Sequence, residues 1–355
     1  MTAPDVAYRP SFPAGYRPGI GIVGCGHIVK LAHLPAYAKY GLDVVGVYDV
    51  NPEATRGVRE EHGVRRVCSS LAQLLADPAI EVVDIATHPA ERLGLIRTAL
   101  AAGKHVLAQK PFAVDASAAR EVVEEAERLG LTLAVNQNGR WAPAWRVATL
   151  LVQEGAIGEV FAVTHLFDRD FSFVLGRHYD EIEHLIVYDY SIHAIDISRC
   201  WLDEKAPHVV RAREFRTPAQ PPEGKAPWGA SIEIEYADGS SAAIRSVGGS
   251  TTSRPGNLFW VHGTEGTIRG SVLLGSDFVE LERGGTFSRY ELEGEWTPDG
   301  FAGAMGELLS AIAERREPSH SGRNNLLTLE LTLAAVRSTE ANGLPVALEK
   351  TAPPA

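Results

Sequence analysis

The chain has 355 residues, with 34 Lys and Arg against 45 Asp and Glu, a formal charge of −11, and 45% hydrophobic and 22% charged side chains, the composition of an ordinary globular protein. The acidic balance, with no Lys/Arg run longer than the pairs Arg65, Arg66 and Arg315, Arg316, argues against nucleic acid as a partner. No segment approaches the roughly 18 uninterrupted apolar residues of a membrane span, so no membrane partner is expected either.

Single cores stop growing near roughly 250 to 300 residues, so two domains are expected. Cys25, Cys68 and Cys200 have no C-x-x-C spacing and predict neither a disulfide framework nor a thiolate zinc site. Residues 1–18, with Pro, Tyr and Arg but no apolar stretch, read as a flexible lead-in to a cytoplasmic protein.

From residue 19 the pattern alternates. GIGIV (19–23) is a buried strand ending at Gly24 and Gly26, followed by a helix over about 27–40 and a strand over 42–50. Pro52 sits where a helix opens, giving helices at 53–62 and 70–77, then a strand at 81–87. A helix at 90–103, a strand at 104–109, a helix at 116–129 and a strand at 131–138 complete the series. Such units predict a parallel sheet with helices on both faces. Beyond about residue 160 the period becomes 2, with strands expected over 159–171, 208–216 and 230–248, the last carrying the hairpin signal Asp238-Gly239. LFWVHG, GTIRGSV, FVELERGG and FSRYELEG continue a mainly antiparallel sheet. Helices are expected near 184–202, 301–316 and 324–342. The fold class is therefore α/β: a parallel-sheet domain over 19–145 that resembles a Rossmann dinucleotide-binding domain, then a C-terminal α+β domain with an open, mainly antiparallel sheet over 146–355.

Gly24 and Gly26 supply the turn and the close backbone approach that a pyrophosphate needs at a helix N-terminus, while Val29 stands where the fingerprint has its third glycine and should loosen helix-to-strand packing. Asp49, 25 residues after Gly24, ends the second strand, where a carboxylate accepts from both ribose hydroxyls. His27 and Ile28 follow the turn. Val50 after Asp49 offers nothing to a 2′-phosphate, so NAD is expected as cofactor, with Arg56 keeping NADP open.

Lys110 follows a parallel strand directly, at the sheet edge where ligands gather. In LIVYDYSIHAIDISRCW, Asp189, His193 and Asp196 fall at i, i+4 and i+7 of one helix, with Ile192, Ile195 and Ile197 free to face a core. The histidine can take a hydroxyl proton while a carboxylate orients it. A surface lysine, a helix cap and a core histidine are the structural alternatives. The stretch 164–185 carries His165, Asp168, Arg169, Asp170, Arg177, His178, Asp180, Glu181 and His184, a mixture suited to a polyhydroxylated ligand. A solvated loop, or a metal held by His165, His178 and His184, is the alternative there. Asn138, Arg140 and Trp141 follow the last parallel strand and are expected at the mouth of the cleft.

Taken in order, GIGIVGCGHI, VYDVNPE, GKHVLAQKPFAVD, NQNGRWAP and YDYSIHAIDISRCW resemble the Gfo/Idh/MocA family of NAD(P)-dependent oxidoreductases over most of the chain. The resemblance implies His193 as general base, Asp189 holding a substrate hydroxyl and Lys110 as hydrogen-bonding and electrostatic partner. It adds Thr87, His88, Pro89, Gln109, Lys110 and Asn138 to the cofactor contacts, and Lys110, Arg140, Trp141, His165, Asp189 and His193 to the substrate contacts, with no metal. It also implies a dimer or tetramer. Two positions depart from the family pattern: Gln109 replaces the glutamate of E-K-P, and Arg92 stands where a histidine is usual and is expected to face solvent. The implied activity is hydride transfer between NAD(P) and a secondary hydroxyl of a sugar, inositol, polyol or sugar acid. A redox-neutral isomerase, lyase or glycosidase using transient oxidation, and a non-catalytic nucleotide sensor, are the alternatives.

Overall fold

The computed structural model describes residues 6–203, 205–249, 256–273 and 275–348, with the side chain of His178 outside that set. The first elements follow the expected alternation. Strand β1 (Gly19–Val23), fully buried, runs through a π-helical turn, Val29–His33, into helix α1 (Leu34–Lys39). Val29, the bulk in place of the third glycine, is completely buried, and the helix starts with the wider turn. Next come β2 (Val44–Tyr48), α2 (Pro52–His62), α3 (Leu71–Leu75), β3 (Ile80–Ile85), α4 (Pro89–Ala101), β4 (His105–Gln109), α5 (Ala116–Arg128) and β5 (Leu133–Asn136).

Local chemistry sets these boundaries. Asn51 accepts the Glu53 N–H at 3.0 Å with Pro52 in the first turn of α2, and Asp115 accepts the Ala118 N–H at 2.7 Å to open α5; side-chain caps of this kind contribute about 1 kcal/mol each. The strands form a parallel sheet in the order β2-β1-β3-β4-β5. In register, Val23 pairs with Tyr48 and Ile85, and Ile85 with Ala108, so the strands end together on one edge.

The chain continues with helix α6 (Pro143–Gln153), β6 (Val160–Asp168), a π-helical turn Leu185–Tyr190 leading into α7 (Ser191–Trp201), then β7 (Pro207–Phe215), β8 (Gly229–Tyr236), β9 (Ser241–Val247), β10 (Gly256–Gly263), β11 (Gly266–Ser271), β12 (Val279–Arg283) and β13 (Thr286–Tyr290). Helices α8 (Phe301–Glu314) and α9 (Gly322–Glu340) and the short β14 (Val346–Ala347) close it. Among the described residues the second sheet has the order β13-β12-β11-β10-β6-β9-β8-β7-β14, antiparallel except for the β6–β9 pair. The Rossmann sheet and this larger, mainly antiparallel sheet are the α/β architecture expected.

Two compact units divide the chain. One holds Arg9–Ala142 and Gly294–Leu327, the other Met1–Tyr8, Pro143–Glu293 and Thr328–Ala355. Residues after 146 were expected to stay together, but Phe301, Ala302, Met305, Leu308 and Leu309 of α8 join Ile22, Val29, Tyr37 and Leu107 in the core of the Rossmann unit. The apolar face of α8 finds its burial there. Helix α6, over a stretch to which the sequence reading assigned no element, opens with a proline at its first position and buries Trp145, Val147 and Leu151. Within the lead-in, Phe12 packs on Tyr40 with ring centroids 5.5 Å apart, which ties down a segment expected to be flexible.

Candidate functional site

At the carboxyl edge of the parallel sheet, Gly24 has φ +97°, and a Cβ there would lie 2.5 Å from the Ala86 carbonyl oxygen; the turn therefore requires glycine. Gly26 is different. A Cβ on it would meet nothing within 4 Å, so its lack of a side chain serves no internal packing and leaves an open surface beside the helix start. His27 is exposed and Ile28 partly so.

Asp49 receives two backbone donors at this edge, Cys25 N–H on Oδ2 and Asn51 N–H on Oδ1, both at 2.7 Å. Each carboxylate oxygen keeps a further lone pair for a ribose hydroxyl. Burial and the neighbouring Asp49 push the Cys25 thiol up to about 12, so it stays protonated. Val50 is 86% exposed, and Arg56 pairs with Glu53 at 2.9 Å. An open glycine, a helix start and a carboxylate followed by an exposed valine fit NAD.

Thr87, His88 and Pro89 form the turn from β3 into α4. Arg92, expected to face solvent, is 2% exposed: its guanidinium donates to the carbonyl oxygens of Thr87 and Pro111. Those main-chain acceptors hold it inside. Lys110 is partly exposed just beyond β4. Asn138, 2% exposed, has its amide engaged at both ends, donating to the Asn136 carbonyl at 3.1 Å and accepting from the Trp296 indole at 2.7 Å. These two bonds tie it into the packing of this unit. Arg140 and Trp141, expected at the mouth of a cleft, are each 6% exposed. Arg140 bonds the Ser319 carbonyl at 2.6 Å and Asn324 at 2.9 Å, while Trp141 stands edge-on to His320 at 4.8 Å. Internal acceptors and a ring partner take both side chains away from solvent.

In the other unit, α7 is buried at every position from Ser191 to Arg199 except His193. Ile192, Ile195 and Ile197 anchor it in the core, and the imidazole is partly exposed. Asp189 lies in the preceding π turn and is partly exposed; the cap of α7 is formed without a side-chain bond. Asp196, expected on the face of His193, is instead 1% exposed and accepts the Thr328 hydroxyl at 2.6 Å, with Arg199 at 3.6 Å.

Burial first and Asp189 second raise the Tyr179 and Tyr190 hydroxyls above the usual tyrosine range, so both remain protonated beside the carboxylate. Arg169 lies 5.2 Å from the Phe173 ring centroid and 5.7 Å from that of Phe171, which packs edge-on to Tyr190 at 4.9 Å. The two tyrosines were missed from sequence; no spacing rule couples residue 179 to Asp189, ten positions on. His165, expected among the substrate contacts, is 1% exposed and surrounded by Trp145, Trp201, Phe167 and Phe259. Desolvation drives its pKa down to about 3. It is a neutral core histidine. The side chain of His178 lies outside the described residues, and no cluster able to hold a metal occurs among the described residues.

A parallel sheet with this glycine turn and a carboxylate at the end of its second strand, followed by a large antiparallel sheet, is the architecture of an NAD-binding oxidoreductase. Residues 19–137 match the oxidoreductase family with an NAD-binding Rossmann fold, and residues 145–269 match the GFO/IDH/MocA C-terminal domain. The chain belongs to the Gfo/Idh/MocA family of oxidoreductases. It is 30% identical to the D-apiose dehydrogenase of Paraburkholderia graminis, over 89% of this chain and 86% of that one, and 27% identical to the 1,5-anhydro-D-fructose reductase of Ensifer adhaerens, over 90% and 95%. The structure of an oxidoreductase from Agrobacterium radiobacter in complex with NAD+, L-tartaric acid and magnesium superimposes with a TM-score of 0.80 at 26% identity, covering 93% of this chain and 98% of that one.

Proposed function

We propose that the protein is a dehydrogenase for a secondary hydroxyl of a sugar, inositol, polyol or sugar acid, with His193 as general base. The carrying observation is the exposure pattern of α7, in which one titratable ring emerges from an otherwise buried helix. In the proposed reaction His193 takes the hydroxyl proton as the C–H bond breaks, assistance worth about 10² to 10⁴ in rate. Asp189 accepts from a substrate hydroxyl and fixes its direction. Lys110 stabilises the developing alkoxide by charge and hydrogen bonding. NAD, held by the Gly24–Gly26 turn and by Asp49, supplies the hydride acceptor.

Protonated Tyr179 and Tyr190 beside Asp189 can each donate and accept, which suits a ligand rich in hydroxyls. Two relatives named for sugar substrates support the same class and a net redox reaction. Leu166 and Leu258, cross-strand neighbours, and Trp260 are partly exposed on the larger sheet, which supports self-association into a dimer or tetramer, to be read by light scattering. Three free cysteines fit a reducing, cytoplasmic setting.

The test is NADH formation with a panel of sugars, inositols, polyols and aldonates, repeated with NADP. A response to one ligand class identifies the substrate. Silence across the panel, with NAD binding confirmed by calorimetry, would overturn the dehydrogenase reading.

A further inference from the structure

Gln109 and Arg92, the two departures from the family pattern, are both buried, at 6% and 2% exposure, and both bind main chain next to Lys110. Gln109 Oε1 accepts the Lys110 N–H at 2.8 Å. A backbone N–H only donates, so the facing atom is the amide oxygen, and the amide nitrogen is thereby aimed at His33 Nε2, 3.1 Å away. An amide nitrogen donates too. His33 Nε2 must therefore accept, which puts the ring proton on Nδ1, 2.6 Å from Asp84 Oδ2. The Tyr37 hydroxyl donates to the same oxygen at 2.5 Å. On the far side of Lys110, Arg92 donates to the carbonyls of Pro111 and Thr87.

We propose that Asp84, His33, Gln109 and Arg92 are positioning residues that fix the main chain on either side of Lys110, with His33 held as the neutral Nδ1–H tautomer. Each link has one direction, from Lys110 N–H to the amide, from the amide to the imidazole, and from the imidazole to the carboxylate. The groups facing the ring are Asp84 from β3, Tyr37 from its own helix, Gln109 from β4 and the Phe301 ring from α8 at 5.0 Å. A glutamate at 109 has only acceptors. The same geometry would then require a proton on both ring nitrogens, and the brace would hold only while His33 is an imidazolium. With an amide at 109 the brace needs no proton on Nε2. The functional weight of the brace rests on the proposed role of Lys110; its chemistry does not.

The experiment is ¹⁵N NMR of the full-length, histidine-labelled protein, with His33 assigned by the signal that changes in Gln109→Glu. Expected is a proton on Nδ1 and none on Nε2 in the native chain at neutral pH, and a proton on Nε2 in Gln109→Glu. An Nε2–H tautomer or an imidazolium in the native chain, or a ring unaffected by Gln109→Glu, overturns the assignment.

With a turned-over substrate in hand, Gln109→Glu should lose about tenfold more of its kcat between about pH 6 and about pH 9 than the native chain does. Gln109→Leu should be about tenfold low throughout, with KM for NAD within about twofold of native. Arg92→Lys should lower kcat with the same KM pattern; a fall in thermal stability with kcat unchanged would reduce Arg92 to a structural role. If no polyol is oxidised, the NMR result still decides the tautomer, and the failure belongs to the proposed reaction alone.

Discussion

Two of the buried histidines, His33 and His165, are buried in opposite ways. His33 has a partner at each ring nitrogen, an amide on one side and a carboxylate on the other. His165 has the Ser198 hydroxyl at 3.1 Å from Nε2, no partner at Nδ1, and aromatic rings elsewhere. Burial alone fixes only the charge of a histidine, whereas directed partners also fix its tautomer and make it able to orient something else. His193, partly exposed on a buried helix, is neither case and is the ring proposed as general base.

Removing each ring should separate the three roles. His193→Ala is expected to reduce kcat by about 10² to 10⁴ with NAD affinity and melting temperature close to native; equal losses of NAD affinity and turnover would remove it from the base role. His33→Phe takes a donor from the buried Asp84 carboxylate and should cost about 3 kcal/mol, read as a lower denaturant midpoint. A midpoint unchanged by His33→Phe would mean that Asp84 is satisfied without the imidazole.

The contrast also explains what could be read in advance. The parallel sheet, its glycine turn and Asp49 were legible because strand periodicity and the turn chemistry of Gly24 are local properties. The outward position of His193 was legible from its isoleucine neighbours. The burial of Arg92, Arg140 and His165 was not, since each is set by acceptors or rings distant in sequence: the Pro111 carbonyl, Ser319 and Asn324, and Trp201 with Phe259. Helix α8 misled for the same reason. Its apolar face says that it must pack, but not against which sheet.

A fourth histidine sharpens the comparison through pH. His184 donates to Glu214 at 2.7 Å, with Glu183 and Glu340 each 3.9 Å from its other nitrogen. The Glu214 hydrogen bond chiefly, together with these charges, holds its pKa above the ordinary histidine value against partial burial. A proton held more tightly in the folded chain stabilises it fully below about pH 6.5. That contribution is lost as pH rises through the raised value. His184→Gln keeps a donor toward Glu214 and does not titrate, so thermal melts should lose this decline while retaining the native midpoint at the alkaline end.

His165 should respond in the reverse sense and with the smallest net change. Its folded pKa of about 3 lies below the ordinary value of about 6.5, so its neutral burial stabilises fully above that pH and weakens as pH falls toward the folded value. His165→Phe keeps a flat ring among Trp145, Trp201 and Phe259, gives up the Ser198 bond and removes the titration. At neutral pH the change should lie within about 1.5 kcal/mol, the range of volume-conserving core swaps. Below about pH 6 the variant should resist acid better than the native chain, because the unfolded state no longer gains a proton that the core refuses. If His165→Phe instead loses stability equally at every pH, the Ser198 hydrogen bond and not desolvation governs that site, and the two buried histidines are more alike than their surroundings indicate.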